Sequence, residues 1–379
     1  MLTSSASPLK TSPTVSPNCT PADEAAVSLP TEFVLTVTAR PGEGVAPLFS
    51  RLAAALRERD ATVLKLMIYG SLAAHEESVK MMRRYLGAID WPVTWVEGAS
   101  CDDSPLAGVQ AFAVEGAADL QRVMVNGRVV ASVYEDNGAR HCLLGGVGPT
   151  DPTQTQAVQT HQAFENLETA LHQAGFELAD VARTWFFNDD ILAWYGDFNR
   201  VRTAYYSRKP FRIGSLPAST GVEGYNPAHA ALVMGAWAVK PLQASACVQE
   251  VASPLQCPAP AYGSSFSRAM EISSGGIRRL LVSGTASIAP GGATMWPGDT
   301  RKQIDLTMEV IAAMLHSKGM TLADTTRATA YFKHAADRAI FAAWLAEHSL
   351  QTMPYVPVHC DICRDDLLFE LELDATVSV

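Results

Sequence analysis

The sequence lacks the features that mark membrane, secreted and nucleic-acid-binding proteins. No apolar run reaches the ~18 residues that a membrane-spanning helix needs. The net charge is −10 and no cluster of Lys and Arg occurs, which argues against a nucleic-acid surface. Seven cysteines, an odd number with no secretory apolar segment before them, fit reduced thiols better than a disulfide framework. We therefore predict a soluble cytoplasmic protein that binds neither a membrane nor nucleic acid.

The chain has enough apolar sequence for a large core. Its 379 residues are 48% hydrophobic and 18% charged, a composition that favours two or three globular domains. Residues 1–30 are rich in Ser, Thr and Pro and nearly free of large apolar side chains. We predict a disordered tail there, because such a segment cannot bury enough apolar surface to become ordered.

An internal repeat organises the rest of the chain. The phrase Gly175-Phe-Glu-Leu-Ala-Asp-Val-Ala-Arg183 returns as Gly319-Met-Thr-Leu-Ala-Asp-Thr-Thr-Arg327. Each copy follows a helix whose apolar residues are spaced for one buried face, and each runs into a β-rich segment. The glycine marks the end of the helix. We interpret the phrase as a structural junction, with its arginine in a structural ion pair, and not as a catalytic motif.

The order helix, strand, helix, proline-containing strand and apolar strand occurs three times. It predicts a degenerate unit at 31–120 that lacks the repeated phrase, a second unit at 121–240, a Pro-rich linker at 241–262 and a third unit at 263–379. In the second unit, residues 209–212 take the place of the proline-containing strand. The expected fold class is α+β. Closure around a pseudo-threefold axis would cover the sheet edges, so that a monomer imitates a trimer.

Short phrases in the second and third units resemble the Rid (YjgF) family, whose small subunits form homotrimers with sites in the clefts between neighbours. The phrases are Pro210-Phe-Arg212, Val282-Ser-Gly-Thr285 and Glu370-Leu-Glu372. Three further phrases resemble the chorismatases, a branch of the same superfamily with fused units: Leu216-Pro-Ala-Ser-Thr-Gly221, Ser283-Gly-Thr-Ala-Ser287 and Cys363-Arg-Asp-Asp-Leu-Leu-Phe-Glu370. The likeness covers about residues 30–379.

The resemblance implies an activity. Chorismatases are lyase-type enzymes of aromatic secondary metabolism that remove the enolpyruvyl group of chorismate as pyruvate, without a cofactor. Members that form 3-hydroxybenzoate, some with 4-hydroxybenzoate as a second product, carry a cysteine seven positions before the catalytic glutamate. Cys363 occupies that position before Glu370. The implied activity is therefore that of a 3-hydroxybenzoate-forming chorismatase.

Glu370 is the candidate acid. Cleavage of an enol ether needs a proton delivered to the methylene carbon, which a neutral carboxylic acid can supply. Alternation along the last strand puts Glu372 and Asp374 on the same face, and burial beside other carboxylates would raise the pKa of Glu370. The alternative is a solvent-exposed strand face. The matching segments 108–114 and 230–239 carry no carboxylate, so we expect one active site, not three.

Cys363 also has two interpretations. It could be a small buried apolar residue, or it could orient a substrate hydroxyl or assist loss of the ring proton. A metal site with His359 and Cys360 is disfavoured, because the spacing is poor for a tetrahedral site and no second Cys/His pair accompanies it. We predict no metal and no cofactor.

Chorismate carries two carboxylates, so an acidic protein must supply cations at the site. Arg212 corresponds to the carboxylate-binding arginine of the Rid motif and can form two parallel hydrogen bonds. Arg268 and Arg364 are further candidates, with surface salt bridges as the alternative. The remaining predicted binding residues are small residues at a strand end and an aromatic on a strand: Gly284, Thr285, Ala286 and Tyr331.

Two other functions stay open at this point. A Rid-like imine or enamine deaminase would use Arg212 and a water with Glu370. A small-metabolite binding module would use the same fold without turnover, because fold alone does not fix function.

Overall fold

The computed structural model describes residues 31–116, 119–208 and 210–378, so the predicted tail at 1–30 lies outside the described residues. Within those ranges the helices are α1 (Val45–Glu58), α2 (His75–Leu86), α3 (Gln156–Gln173), α4 (Ile191–Tyr206), α5 (Thr300–His316) and α6 (Arg338–Glu347). The strands are β1 (Thr31–Thr38), β2 (Ala61–Gly70), β3 (Val93–Val96), β4 (Leu106–Glu115), β5 (Gln121–Val125), β6 (Arg128–Glu135), β7 (Ala139–Val147), β8 (Val181–Asn188), β9 (Ala218–Glu223), β10 (Leu232–Pro241), β11 (Cys247–Val251), β12 (Ala269–Ser274), β13 (Ile277–Ala286), β14 (Thr325–Phe332), β15 (Tyr355–His359) and β16 (Phe369–Ser378). None of the helices in these ranges has the length and hydropathy to cross a membrane.

The strands form three sheets with one repeated topology. The second sheet has the order β5-β6-β7-β10-β8-β9, and the third has the order β11-β12-β13-β16-β14-β15. The first sheet has only the corresponding last four strands, β1-β4-β2-β3. The predicted α+β class with three fused units is confirmed.

Two sequence-based boundaries need correction. Residues 247–251 form β11, which pairs with β12, so part of the predicted linker at 241–262 belongs to the third sheet. The strand predicted at 209–212 is replaced by β9, which pairs in parallel with β8. The proline near Arg212 suggested the earlier segment, but the chain passes through a turn before it enters the sheet.

The repeated phrase forms the same junction in both copies. The helices before it bury one apolar face each, and both glycines have positive φ, 76° at Gly175 and 68° at Gly319, as helix-ending glycines require. Asp180 and Asp324 then close short turns by accepting a backbone hydrogen bond from the residue three positions before. The predicted structural role of the phrase therefore accounts for its glycine and its aspartate.

Each helix pair covers one face of its own sheet, and the opposite faces of all three sheets meet in one central core. Three cationic side chains, one from each unit, enter this core at equivalent positions in the registers. Lys65 lies opposite Phe112, Arg183 opposite Trp237 and Arg327 opposite Asp374. All three cations are fully buried. The three units are therefore equivalent in backbone but unequal in charge at their common centre.

Unlike Arg183 and Arg327, Lys65 has no hydrogen-bond partner among the described residues. Its ammonium lies 4.1 Å from the centroid of the Trp185 ring. Burial, together with Arg327 and Arg183, lowers the pKa of Lys65 to about 7, against the opposing effect of Glu372 and Asp374.

The substitution Lys65→Met should therefore stabilise the protein in a pH-dependent manner. Below pH 7 both folded and unfolded chains hold the lysine proton, so the cost of burying the charge is greatest there. Between about pH 7 and 10 the unfolded chain binds more protons than the folded chain, and the stability of the natural protein rises with pH. We expect a gain of about 1–4 kcal/mol at pH 6, shrinking toward pH 10, in urea unfolding. The exposed Lys80→Met should show no such trend, and a constant or negative difference for Lys65→Met would contradict this.

Candidate active site

A deep cleft lies between the second and third units. Helix α4 and strand β9 form one wall, and strands β13 and β16 with the loop before β16 form the other. The cavity has a volume of about 680 Å³, within the range of small-molecule sites. Both walls are needed to form it, which fits a site shared by neighbouring units.

Among the described residues that line this cleft, Glu370 is the one with a carboxyl group. It is the second residue of β16, lies opposite Ala286 and Tyr331 in the register, and is 5% exposed. Gly284 packs directly against it, since a Cβ built at Gly284 would lie 2.1 Å from Glu370 Oε1. The alternative of a solvent-exposed strand face is wrong, because the face that carries Glu370, Glu372 and Asp374 points into the protein.

Burial is the main reason that the pKa of Glu370 rises to about 8, and the neighbouring Glu372 carboxylate adds to the rise. Arg183 and Arg268 act in the opposite direction without cancelling it. At neutral pH the folded protein therefore holds Glu370 as a neutral acid that can deliver a proton.

Glu372, two residues on, has the opposite environment. Its carboxylate accepts hydrogen bonds from Arg183 at 2.6 Å, from Arg327 at 2.7 Å and from Thr220 at 2.5 Å. Burial alone would raise the pKa of Glu372, but the two guanidinium groups outweigh it and hold the pKa below its usual value. Two carboxyl groups on one face of a strand thus have pKa values shifted in opposite directions: Glu370 is held as a neutral acid and Glu372 as an anion.

The two arginines that pair with Glu372 belong to the repeated phrase. Arg183 and Arg327 are the last residues of its two copies, and they pair with the final strand rather than with the aspartates of their own phrases. Arg183 crosses from the second unit to the third. The repeat therefore supplies the cations that hold Glu372 ionised beside Glu370.

Cys363 lines the same cleft as a partly buried free thiol. Burial raises its pKa to about 12, and Glu370 contributes to the rise. The thiol is therefore neutral at physiological pH, which favours a role in positioning over a role as a base.

Four arginines line the cleft, of which the exposed Arg200 pairs with Asp197. The other three have no carboxylate partner in the part of the chain that the structure describes. Arg268 is 3% exposed and donates two hydrogen bonds to the Cys257 carbonyl, at 3.1 and 3.0 Å. Arg364 donates to the Gly292 carbonyl at 2.7 Å. Arg202 on α4 is 1% exposed and donates to Asn199 Oδ1 at 2.5 Å, while its Nε has no partner among the described residues. None of the three forms a salt bridge within the described ranges, so each can receive an anionic ligand.

Sequence reasoning missed Arg202 and its neighbours on α4. Tyr195, Asn199 and Arg202 are spaced four and three residues apart, which places them on one face of the helix, and all three line the cleft. Their spacing on one face of the helix could be read from the sequence. Ser219 of β9 and Tyr262 also line the cleft without having been predicted.

The structure brings most of the predicted site residues together. Six of the predicted residues line this cleft: Glu370, Cys363, Arg268, Gly284, Ala286 and Arg364. Thr285 and Tyr331 do not join them: the Thr285 hydroxyl donates to the Ser283 carbonyl, and Tyr331 is fully buried in the central core.

Arg212 is also absent from the cleft. Its guanidinium pairs with Asp180 at 2.6 Å and Glu177 at 2.7 Å, and its side chain is 55% exposed. The misplaced strand at 209–212 explains the error, since β9 is the strand that reaches the cleft. The prediction that Arg212 binds the substrate has no support in this geometry.

The fold and this site define a Rid-type protein in which three units are fused and one junction carries an acid. A profile of the family described as Endoribonuclease L-PSP matches residues 141–233, in the second unit. A RutC family protein of Sulfurisphaera tokodaii is 34% identical over 91 residues, which cover 21% of this chain and 72% of that protein. The chain belongs to the RutC family, and the predicted Rid (YjgF) relationship is confirmed.

Two further similarities concern chorismatases. A chorismatase of Streptomyces rapamycinicus is 28% identical over 213 residues, which cover 51% of this chain and 63% of that enzyme. The matched segment thus spans less than two thirds of that relative. A chorismatase crystal structure superposes with a TM-score of 0.63 at 19% identity, covering 92% of this chain and 100% of the other. At that identity the superposition establishes the shared fold.

Proposed function

We propose that the protein is a chorismatase that cleaves chorismate to pyruvate and 3-hydroxybenzoate. The observation that carries the proposal is a neutral, buried glutamic acid facing a cleft lined by four arginines, three of them without a salt bridge among the described residues. A neutral acid suits protonation of an enol ether. Several arginines suit a ligand with two carboxylates. The similarity to the Streptomyces chorismatase supports the same substrate.

In the proposed reaction Arg202 and Arg268 hold the substrate carboxylates from opposite walls. Glu370 delivers its proton to the methylene carbon of the enolpyruvyl group, and an oxocarbenium-like centre forms on the ether carbon. The ring hydroxyl attacks the neighbouring ring carbon that bears the ether, so that an epoxide forms as the ether bond breaks and pyruvate leaves. The hydroxyl proton returns to the Glu370 carboxylate.

The epoxide bond to the original hydroxyl carbon then opens, the carbon that keeps the oxygen loses its ring proton, and the phenol oxygen takes up a proton. Pyruvate and 3-hydroxybenzoate together contain the atoms of chorismate, so the reaction consumes no net water. Ionised Glu372 stabilises the protonated form of its neighbour before the reaction.

Product analysis tests this function. The purified full chain is incubated with chorismate, and pyruvate and the aromatic products are followed by chromatography. We expect equimolar pyruvate and 3-hydroxybenzoate. Chorismate that remains intact would overturn the proposal and leave the deaminase and binding-module hypotheses, which turnover of an imine substrate would then separate.

Cys363→Ala should change the product before it changes the rate. A neutral thiol beside Glu370 contacts the space where the ring rearranges, and alanine would admit water there. We expect chorismate consumption within about threefold of the natural rate, with part of the aromatic product replaced by a cyclohexadiene diol. The exposed Cys247→Ala is the matched control. An unchanged product ratio in Cys363→Ala would remove this cysteine from the site.

A further inference from the structure

A second cleft lies at the junction of the first and second units. Helix α2 and strand β3 form one wall, and β7 and β10 form the other, around a cavity of about 830 Å³. These are the elements that correspond to α4, β9, β13 and β16 of the candidate active site. The junctions even share a hydrogen bond: Gly146 donates to Thr94 Oγ1 at 2.9 Å in one, and Gly284 donates to Thr220 Oγ1 at 3.0 Å in the other.

The two clefts differ at the catalytic position. In the registers of the second and third units, Val233 lies opposite Phe187 as Glu370 lies opposite Tyr331. Val233 lines the second cleft. This cleft therefore has no acid where the first has one, and nothing at that position can deliver a proton.

The lining of the second cleft is cationic and aromatic. Arg83 and Arg128 supply the positive charge, while His75 has a pKa lowered by burial and by Arg128 and adds an imidazole ring. None of the lining residues in the described ranges is Asp or Glu, although the whole protein has a net charge of −10. Neither arginine has a salt bridge among the described residues. Trp91 and Trp95 form part of the wall, are 8% and 5% exposed, and have indole N–H groups without a described hydrogen-bond partner.

We propose that this second cleft binds a small aromatic carboxylate and does not convert it. Cations without acidic neighbours attract the carboxylate, and two indoles offer apolar area and unused donors to a planar ring. The inference does not depend on the reaction in the first cleft, because binding is measured without turnover. It assigns a ligand site to a junction that has a cavity but carries Val233 at the position of Glu370.

Benzoate titrated into protein with 15N-labelled tryptophan tests the proposal. None of the residues known to line the first cleft is a tryptophan, so shifts of the Trp91 and Trp95 indole resonances, assigned with Trp→Phe variants, report the second cleft. We expect saturable shifts that Arg202→Gln leaves unchanged. Arg83→Gln combined with Arg128→Gln should weaken the affinity at least tenfold, while Arg84→Gln, the adjacent exposed arginine, should not. Absence of indole shifts, equal affinity in the double variant, or inorganic phosphate binding as tightly as benzoate would each overturn the inference.

Discussion

Glu370→Gln should abolish pyruvate release while making the folded protein more stable. Glutamine keeps the shape of the neutral acid and its place beside Gly284, but it has no proton to deliver to carbon. Loss of a general acid lowers rates by about 10²–10⁴-fold. We expect a loss at the upper end of this range, because no other carboxylic acid among the described residues that line the cleft could replace Glu370.

The stability effect follows from the raised pKa. Between pH 4.5 and about 8 the unfolded chain releases the Glu370 proton and the folded chain keeps it, so burial of Glu370 lowers stability progressively as the pH rises. Removing that group should therefore raise the free energy of unfolding by about 1–3 kcal/mol at pH 8, with little change at pH 4.5. Asp365→Asn, an exposed carboxylate in the same segment, should change neither activity nor stability by much. An active Glu370→Gln enzyme would remove Glu370 from the mechanism.

Arg202→Gln should lower kcat/KM for chorismate by about 10²-fold, the effect of losing a charge-assisted interaction in a buried site. Arg202 is held by Asn199 and lies over the Phe198 ring at 5.1 Å, so its free nitrogen atoms are directed by packing before the substrate arrives. Steady-state kinetics with chorismate provide the measurement.

Arg212→Gln is the informative comparison for Arg202. The Rid-type phrase predicts that Arg212 binds the substrate, whereas the structure pairs it with the buried Asp180 and the half-exposed Glu177, away from the cleft. We expect kcat/KM within twofold of the natural enzyme. A large loss in Arg212→Gln with none in Arg202→Gln would favour the sequence-based hypothesis over the structural one.

The comparison of these two arginines shows where sequence reasoning succeeds and where it fails. Periodicity and the repeated phrase were sufficient for the three units, because buried helix faces and helix-ending glycines leave local patterns. The pairing of β9 with β8 leaves no such pattern, since parallel strands are joined through a helix and a loop of variable length. Arg212 was misassigned for that reason.

Glu370 and Cys363 were proposed from the chorismatase-like phrase at the end of the chain and from the absence of a carboxylate in the matching strands, and both residues line the cleft. The raised pKa of Glu370 was predicted from burial beside other carboxylates, and these are its two main causes. The sequence did not show that Arg183 of the second unit crosses to Glu372 and keeps that neighbour ionised. The second cleft was also invisible in the sequence, because His75, Trp95 and Arg128 come together only when two units pack.

The pH dependence of pyruvate release from chorismate tests the central claim most directly, that Glu370 acts as a neutral acid in the cleft of the second and third units. We predict that kcat/KM is constant from pH 6 to about 8 and then falls tenfold per pH unit, as the acid with a pKa of about 8 loses its proton. An absence of pyruvate at every pH, or a rate that rises through pH 8, would contradict the account.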